Sequence, residues 1–312
     1  MSKTQNKKLP LIMLPIAMIV AGLVSSAPTN VLNIAYPLLL NKFGIVIDST
    51  VLSVVNNAIV LIGSIGYVVV IILFSLSCKG LQKKLCFVMS ILVSRTAQIL
   101  CSGVIFVTSI LLSLIPNMDY TIQNLIFSGS NAIGGVLEII VEFLVAIFFF
   151  KYLSSFVEKE VDEEDEPYKV KPLKPSIVVV GYGVLSLVVG LAASAIYTVL
   201  NQGAFMLKNT YAQVAISHAT SIVTSIILWV ALIGATFLFK DKYQKLTIVG
   251  SVIAGQSIWG FVGITLNFIT IFLPTISGVV DFFSTGINTV LGIATGILIF
   301  YIANKKQYER IK

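Results

Sequence analysis

Three charged side chains interrupt long apolar runs, and any chemistry inside those runs would depend on them: Arg95, Glu138 and Glu142. An ionisable residue inside a membrane is costly, so each is a functional hypothesis by default. At a rise of 1.5 Å per helical residue, Arg95 lies ~16 Å from Lys84, while Glu142 and Glu138 lie ~13 and ~20 Å from Lys151. The carboxylates are one helical turn apart, so one guanidinium could approach both. The pattern predicts a buried ion pair or, alternatively, a proton or cation site.

A second candidate site combines His218, the only histidine, with Asp281. His218 is predicted near the outer end of the sixth apolar run, and Asp281 near the outer end of the eighth. A histidine at such a boundary is packed or hydrogen-bonded, or it contacts a quinone or a partner subunit, or it relays protons. A b-type haem with two histidine ligands needs more histidines than this chain has, so we expect no cofactor bound by the chain alone.

Motifs for metal binding or catalysis are missing from the sequence. Its three cysteines form no CxxC pair, and it contains no HExxH, Walker A or GxSxG motif. We therefore predict no metal site and no enzyme activity of the chain by itself.

The elements that must position these residues are transmembrane helices. Hydrophobic residues make up 57% of the chain and charged residues 11%, with a mean hydropathy of +0.97, whereas soluble proteins average about 25% charged residues. The apolar runs are long enough for helices to cross ~30 Å of hydrocarbon and too evenly apolar for a β-barrel. The predicted fold class is all-α, a polytopic integral membrane protein with about eight transmembrane helices. The runs cover about 9–27, 50–77, 85–115, 125–154, 176–200, 211–239, 246–273 and 276–303, and a short interfacial helix is predicted in the external loop 28–49.

Basic residues predict the orientation. Of the 21 lysines and arginines, all but Lys42, Lys208 and Arg95 lie in alternate connectors and at the two termini. Because basic residues mark the cytoplasmic side, both termini are predicted to be cytoplasmic in a multi-pass protein of the cell (plasma) membrane. Attraction to anionic membrane lipids accounts for the net charge of +7. No basic patch with interleaved aromatics indicates nucleic-acid binding.

An acidic connector divides the chain into two halves. Lys84-Leu85 matches Lys245-Leu246, and Val136-Leu137 matches Val290-Leu291, which favours a 4+4 parallel internal repeat. Chance identity between apolar segments is the alternative explanation. The predicted units are a first four-helix membrane half (1–156), a charged cytoplasmic linker (157–175) and a second four-helix membrane half (176–312).

The charged cluster belongs to the first half only. In the alignment of the halves, Gln256 takes the place of Arg95. Gly292 and Gly296 take the places of the two glutamates. This spacing is also a GxxxG pattern, which predicts close packing between helices.

Three classes of function fit these observations: a membrane anchor subunit, a secondary transporter and an intramembrane enzyme. The enzyme lacks any nucleophile–base or metal constellation. A transporter predicts broken helices and midplane polar groups in both halves, and only the cluster around Arg95 fits that expectation. An anchor subunit predicts intact apolar helices with few polar groups, which the sequence favours.

The size, the near-absence of histidine, the lysine-rich connectors and the carboxylate-poor outer loops resemble the hydrophobic B subunit of the archaeal cytochrome b558/566. Lys79 to Leu85, Arg95 and His218 are the positions to compare. The resemblance implies electron transport in the respiratory chain of an archaeon, with a partner subunit that carries haem b outside the cell. The chain would anchor that partner without ligating haem, and quinone contact stays open. The alternative is a secondary transporter of a small solute or ion.

Overall fold

The computed structural model describes residues 5–44, 48–115, 119–162, 175–206, 210–239, 241–272 and 277–305. Within these ranges the chain forms helices joined by short turns and contains no strand. The all-α prediction is therefore confirmed. The helices are α1 (Gln5–Phe43), α2 (Ser49–Ser75), α3 (Leu81–Ser94), α4 (Gln98–Leu114), α5 (Tyr120–Asp162), α6 (Pro175–Met206), α7 (Thr210–Thr236), α8 (Lys242–Phe272) and α9 (Ser277–Ala303), with a 3₁₀ turn Arg95–Ala97 between α3 and α4.

Most of these helices have transmembrane length. With α3, the 3₁₀ turn and α4 taken as one span, seven are long and apolar enough to cross a membrane. Helix α8 has 31 residues, which is about 46 Å at 1.5 Å per residue. In hydrocarbon, backbone amides must be paired within their own segment, and helices satisfy this requirement. The chain is a polytopic membrane protein with seven or eight spans.

Helix α1 is longer than predicted. The first span was expected to end near residue 27, yet α1 continues to Phe43 through Pro28 and Pro37. A proline removes one backbone hydrogen bond from a helix, whereas a loop in apolar surroundings would leave several polar groups unpaired. The prediction of a separate interfacial helix within 28–49 is therefore wrong.

Helix α5 also extends past its predicted boundary. The linker was expected to begin at residue 157, but α5 continues to Asp162. Residues 163–174, which form the rest of the predicted linker, lie outside the described residues.

The lysine-bearing connectors meet at one end of the bundle, here called the lysine-rich end. Gln82 Nε2, beside Lys83 and Lys84, donates a hydrogen bond to the Ala303 carbonyl oxygen at 3.2 Å. Tyr243, beside Lys242, donates from its hydroxyl to the same oxygen at 3.0 Å. The Phe156 ring, at the end of α5, lies 6.1 Å from the Tyr243 ring. The alternating pattern of lysines thus corresponds to one physical end of the molecule.

The buried core lies toward this same end. Leu14 in α1, Ile71 in α2, Phe87 in α3, Leu153 in α5 and Phe300 in α9 are almost fully buried. Toward the opposite, lysine-poor end, the described side chains of α1, α2 and α6 are exposed or half-buried. The helices are therefore held together mainly in the lysine-rich half of the bundle.

The helix pairings of the first half recur in the second. α1 packs on α2 as α6 packs on α7, and α3 with α4 packs on α5 as α8 packs on α9. α1 contacts α5 as α6 contacts α9. Between the halves, α2 packs on α8 and α7 packs on α4, which are equivalent contacts when the halves are exchanged. This packing is the arrangement that two related four-helix halves would produce.

Asp119 caps the lysine-poor end of α5. Its Oδ1 accepts hydrogen bonds from the Thr121 and Ile122 backbone amides at 2.7 and 3.3 Å. These bonds hold the pKa of the Asp119 carboxyl below its usual value.

We expect Asp119→Ala to lower the thermal unfolding midpoint in detergent, and Asp119→Asn to retain part of the cap. Because the folded-state pKa of Asp119 is depressed, its charge stabilises the protein above the unfolded pKa of ~3.9. That contribution disappears as the pH falls through the folded value. The difference in midpoint between wild type and Asp119→Asn should therefore shrink between pH 7 and strongly acidic buffer; a constant difference would contradict the charge contribution.

Candidate functional site

Arg95 and Glu142 form an ion pair in the interior of the bundle. Arg95 Nη1 lies 3.5 Å from Glu142 Oε1, and the two side chains are 46% and 11% exposed. The Arg95 guanidinium also lies over the ring of Tyr67, with its carbon 5.3 Å from the ring centroid. Tyr67 is buried in α2, so the cluster joins α2, span three and α5. Counting residues along the helices placed Arg95 and Glu142 at a similar depth. The sequence analysis did not identify Tyr67, although the same residue count along its helix could have given its depth.

Glu138, one turn before Glu142, takes a different neighbour. It is half-buried and lies beside the Cys101 side chain of α4. Among the described residues, the ion pair that Arg95 forms is with Glu142. Glu142 Oε1 accepts no hydrogen bond, so the contact with Arg95 is an electrostatic pair at 3.5 Å. The structure thus brings together two of the three charged residues as a pair.

Arg95 begins a 3₁₀ turn, Arg95–Ala97, inside span three, which was predicted as one apolar run over 85–115 and is one span in the structure. The Ser94 and Thr96 hydroxyls donate to the Ile91 and Val93 carbonyl oxygens at 2.8 and 2.6 Å. Such back-bonding competes with the regular helical ladder and bends helices, and 3₁₀ turns inside a helix mark hinges or strain. Thr247 and Ser251 make the same kind of bond within regular α8, so the sequence carried no specific signal for the turn.

The two parts of span three on either side of this 3₁₀ turn have different neighbours. α3 packs on α5 and α8, whereas α4 packs on α5 and α7. Arg95 therefore lies where the first half of the chain meets helices of the second half.

A cavity of about 380 Å³ lies beside the 3₁₀ turn, between α4, α6, α7 and α8. Arg95 is the one charged side chain among the residues that line it. Polar lining comes from Gln98 and Ser102 on one side and from Ser225 and Gln256 on the other. The aromatic side chains in its wall are Tyr182 and Trp229. The cavity lies at mid-span, and nothing in the sequence reasoning predicted it.

The second half has a neutral counterpart of the charged cluster. Gln256, at the position equivalent to Arg95, packs against Gly292, where a Cβ atom would lie 3.1 Å from Gln256 Nε2. Gln256 thus contacts the counterpart of Glu138, whereas Arg95 pairs with Glu142. The two equivalent positions face equivalent helices, but their contacts differ by one helical turn. The charge occurs in one half only, as predicted.

Gly292 and Gly296 lie at the close crossing of α8 and α9. A Cβ atom added to Gly255 of α8 would clash with the Gly292 carbonyl oxygen and lie 2.8 Å from the Gly296 nitrogen. A Cβ atom at Gly296 would lie 3.2 Å from the Ser251 carbonyl oxygen. Backbones approach this closely only where side chains are absent. The two glycines therefore have the packing role that their spacing predicts, and Gly255 is the partner that the sequence did not identify.

His218 and Asp281 are not part of this site. His218 is half-buried on α7 and does not line the cavity. Asp281 belongs to α9, but its side chain lies outside the described part of the structure. Their predicted role as a quinone or partner contact stays a prediction.

The described residues contain no cluster of three or more histidine, cysteine or acidic side chains that could hold a metal ion. Cys78, Cys86 and Cys101 are free thiols. No family model, curated protein or solved structure matches the chain. Functional inference therefore depends on the residues and their geometry.

Proposed function

We propose that this chain is the membrane subunit of a respiratory electron-transport complex, in which it anchors a haem b-bearing partner on the extracellular side without ligating haem itself. The resemblance to the B subunit of the archaeal cytochrome b558/566 supports the identity of the partner. By the positive-inside rule, the lysine-rich end and both termini then face the cytoplasm. The lysine-poor end faces the partner.

The observation that carries this proposal is the apolar extension of α1. A helix crosses ~30 Å of hydrocarbon in about 20 residues, whereas the apolar part of α1, Pro10–Phe43, has 34 residues, about 51 Å at 1.5 Å per residue. An average tilt of about 20° shortens this by only ~3 Å. Toward the lysine-poor end, Val31, Ile34 and Phe43 are 64%, 65% and 69% exposed. Apolar side chains exposed beyond the hydrocarbon favour a protein partner that covers them.

Purification in mild detergent tests the proposal. The chain should co-elute with a stoichiometric partner, and the preparation should show the reduced-minus-oxidised spectrum of a b-type haem. Ile34→Glu on the α1 extension should release the partner, because a buried, unpaired carboxylate opposes docking. Leu125→Glu, an exposed change near the same end of α5, is the matched control and should retain the partner. A lone, colourless protein would overturn the proposal.

The outer ends of α7 and α9 are the proposed contact for quinone or for the partner. The double variant His218→Ala, Asp281→Asn should therefore weaken complex assembly or quinone-linked activity. Assembly and activity equal to those of the wild type would remove this part of the proposal and leave the α1 contact standing.

A secondary transporter of a small solute or ion is the second candidate, and one observation favours it. Span three contains a 3₁₀ turn at Arg95, beside a polar cavity between the two halves, and transporters place binding sites at irregular helix segments between repeats. Uptake of a solute by vesicles containing the chain alone, lost in Arg95→Gln, would support this function over the anchor role.

A further inference from the structure

We propose that the cavity beside Arg95 is a binding site for a small molecule that presents a carbonyl or carboxylate oxygen to Arg95, and that it is reached from the lysine-poor end along a hydroxyl-lined groove between α6 and α7. The site goes beyond the anchor role and does not depend on a haem-bearing partner. It would serve a quinone head from the bilayer or a small solute from the aqueous phase, since both carry the required acceptor oxygen.

The position of the Arg95 charge indicates that the ligand presents a hydrogen-bond acceptor oxygen. The Arg95 guanidinium has five N–H donors in a planar fork, and its pair with Glu142 engages Nη1. Glu142 is on α5 and does not line the cavity, whereas Arg95 does. The positive member of the pair therefore adjoins the cavity and the negative member lies behind it. A guanidinium in such a position binds carboxylate or carbonyl oxygens more strongly than neutral donors do.

The remaining lining suits a small head group with both polar and flat faces. Gln98 and Gln256 offer amide donors and acceptors from opposite sides, and Ser102 and Ser225 add hydroxyls. Trp229 contributes an aromatic wall. The volume of about 380 Å³ lies within the range of roughly 300–1,000 Å³ that small-molecule sites occupy.

The access groove follows from a second set of residues. A groove of about 450 Å³ between α6 and α7 is lined by Ser194, Tyr197, Thr220, Ser221 and Ser225, among others. Ser221 and Ser225 also line the cavity, so the two spaces adjoin. From Ser225, the groove runs along α6 toward Tyr197, in the direction of the lysine-poor end.

Hydroxyl groups in this groove can still receive a ligand or water. The Thr220 and Ser221 hydroxyls donate to the Ile216 and Ser217 carbonyl oxygens at 2.8 and 3.1 Å. Their own oxygens keep lone pairs that can accept hydrogen bonds. Such a row of acceptors makes entry of polar molecules less costly than a purely apolar surface would.

Cysteine labelling tests the route. In a background without the three native cysteines, the protein is reconstituted in sealed liposomes and the fraction with its lysine-poor end outward is labelled from outside. There, Ser225→Cys should react with a charged, membrane-impermeant thiol reagent. Val223→Cys, two residues away and exposed on α7, is the matched control. It should react roughly tenfold more slowly or not at all, because a charged reagent reaches a lipid-facing thiol only through hydrocarbon. Equal reactivity of the two, or no reaction of Ser225→Cys, would overturn the route.

Tryptophan fluorescence tests the site. The chain has two tryptophans, so Trp259→Phe leaves Trp229, in the cavity wall, as the reporter. A short-chain benzoquinone and a panel of small carboxylates are titrated separately, which distinguishes the bilayer source from the aqueous source. We expect a saturable change with one of them. It should be lost in Arg95→Gln, Glu142→Gln, which removes the guanidinium without leaving a lone carboxylate, and retained in Glu138→Gln.

Two outcomes would overturn the binding site: no saturable change with either class of probe, or a change that persists in the Arg95→Gln, Glu142→Gln variant. Because the assay uses the chain without a partner, its failure leaves the anchor role standing. Failure to find a haem-bearing partner, in turn, leaves the fluorescence result standing.

Discussion

Replacing Arg95 with leucine should lower the yield of folded protein more than any other single charge change within the spans. The change leaves Glu142, 11% exposed, without the guanidinium 3.5 Å away. Breaking a buried ion pair from one side costs about 3–5 kcal/mol, and we expect about 3 because Arg95 is itself half exposed. The midpoint of denaturation in detergent, or the yield of monodisperse protein, measures the effect.

The double variant Arg95→Leu, Glu142→Gln should recover much of that loss, since it leaves no unpaired charge. Glu138→Gln is the matched control, one turn away on α5 and beside Cys101, and it should change stability far less. If the double variant is as unstable as Arg95→Leu, then the ion pair is not the source of the effect, and the contact of the Arg95 guanidinium with the Tyr67 ring becomes the explanation.

The sequence predicted the helical class, the lysine-rich end and a contact of Arg95 with Glu138 or Glu142 because each depends on position along a single helix. Depth in a membrane follows from residue count, so two charges at equal depth can be matched without knowing how helices pack. The cavity beside Arg95 could not be predicted this way. It requires Gln256 of α8 and Trp229 of α7 to approach span three, and such contacts between distant segments are set by tertiary packing.

The ends of the helices were the least predictable feature. Residues 28–49 were predicted to be an external loop, but Pro28 and Pro37 both lie inside α1. Local propensity disfavours proline in a helix by about 3 kcal/mol. At Pro28, ~27 Å from Pro10 at 1.5 Å per residue, the requirement to pair backbone groups in hydrocarbon outweighs that preference. The 3₁₀ turn at Arg95 was equally unpredictable. Ser94 and Thr96 bond back to carbonyl oxygens there, but similar bonds leave α8 regular, and hydropathy describes the span as continuous.

The two halves use equivalent positions for different purposes. At one position the first half has Arg95, paired with Glu142, and the second has Gln256, packed on Gly292. A glycine in place of a glutamate lets α9 approach α8 closely, while the glutamate on α5 keeps a charged group in the interior. The second half is therefore suited to tight packing and the first to an electrostatic site. The cavity lies between these two halves.

Adding a single methyl group at Gly255 should be the most destabilising small change in the second half. An alanine Cβ at this position would clash with the Gly292 carbonyl oxygen and lie 2.8 Å from the Gly296 nitrogen. Since both are backbone atoms, α8 and α9 would have to move apart. Overpacking of a tight interior costs about 1–3 kcal/mol, and Gly255→Leu should exceed Gly255→Ala. Thermal unfolding in detergent, followed by loss of monodispersity, measures the effect.

Gly286→Ala on α9 is the matched control, because a Cβ atom there meets nothing within 4 Å. It should be neutral or stabilising, since alanine is the better helix former. The contrast between the two variants separates close approach of the backbones from the general effect of glycine in a helix. Equal effects of Gly255→Ala and Gly286→Ala would mean that α8 and α9 do not cross as closely as the structure places them, and the tight packing assigned to the second half would then be wrong.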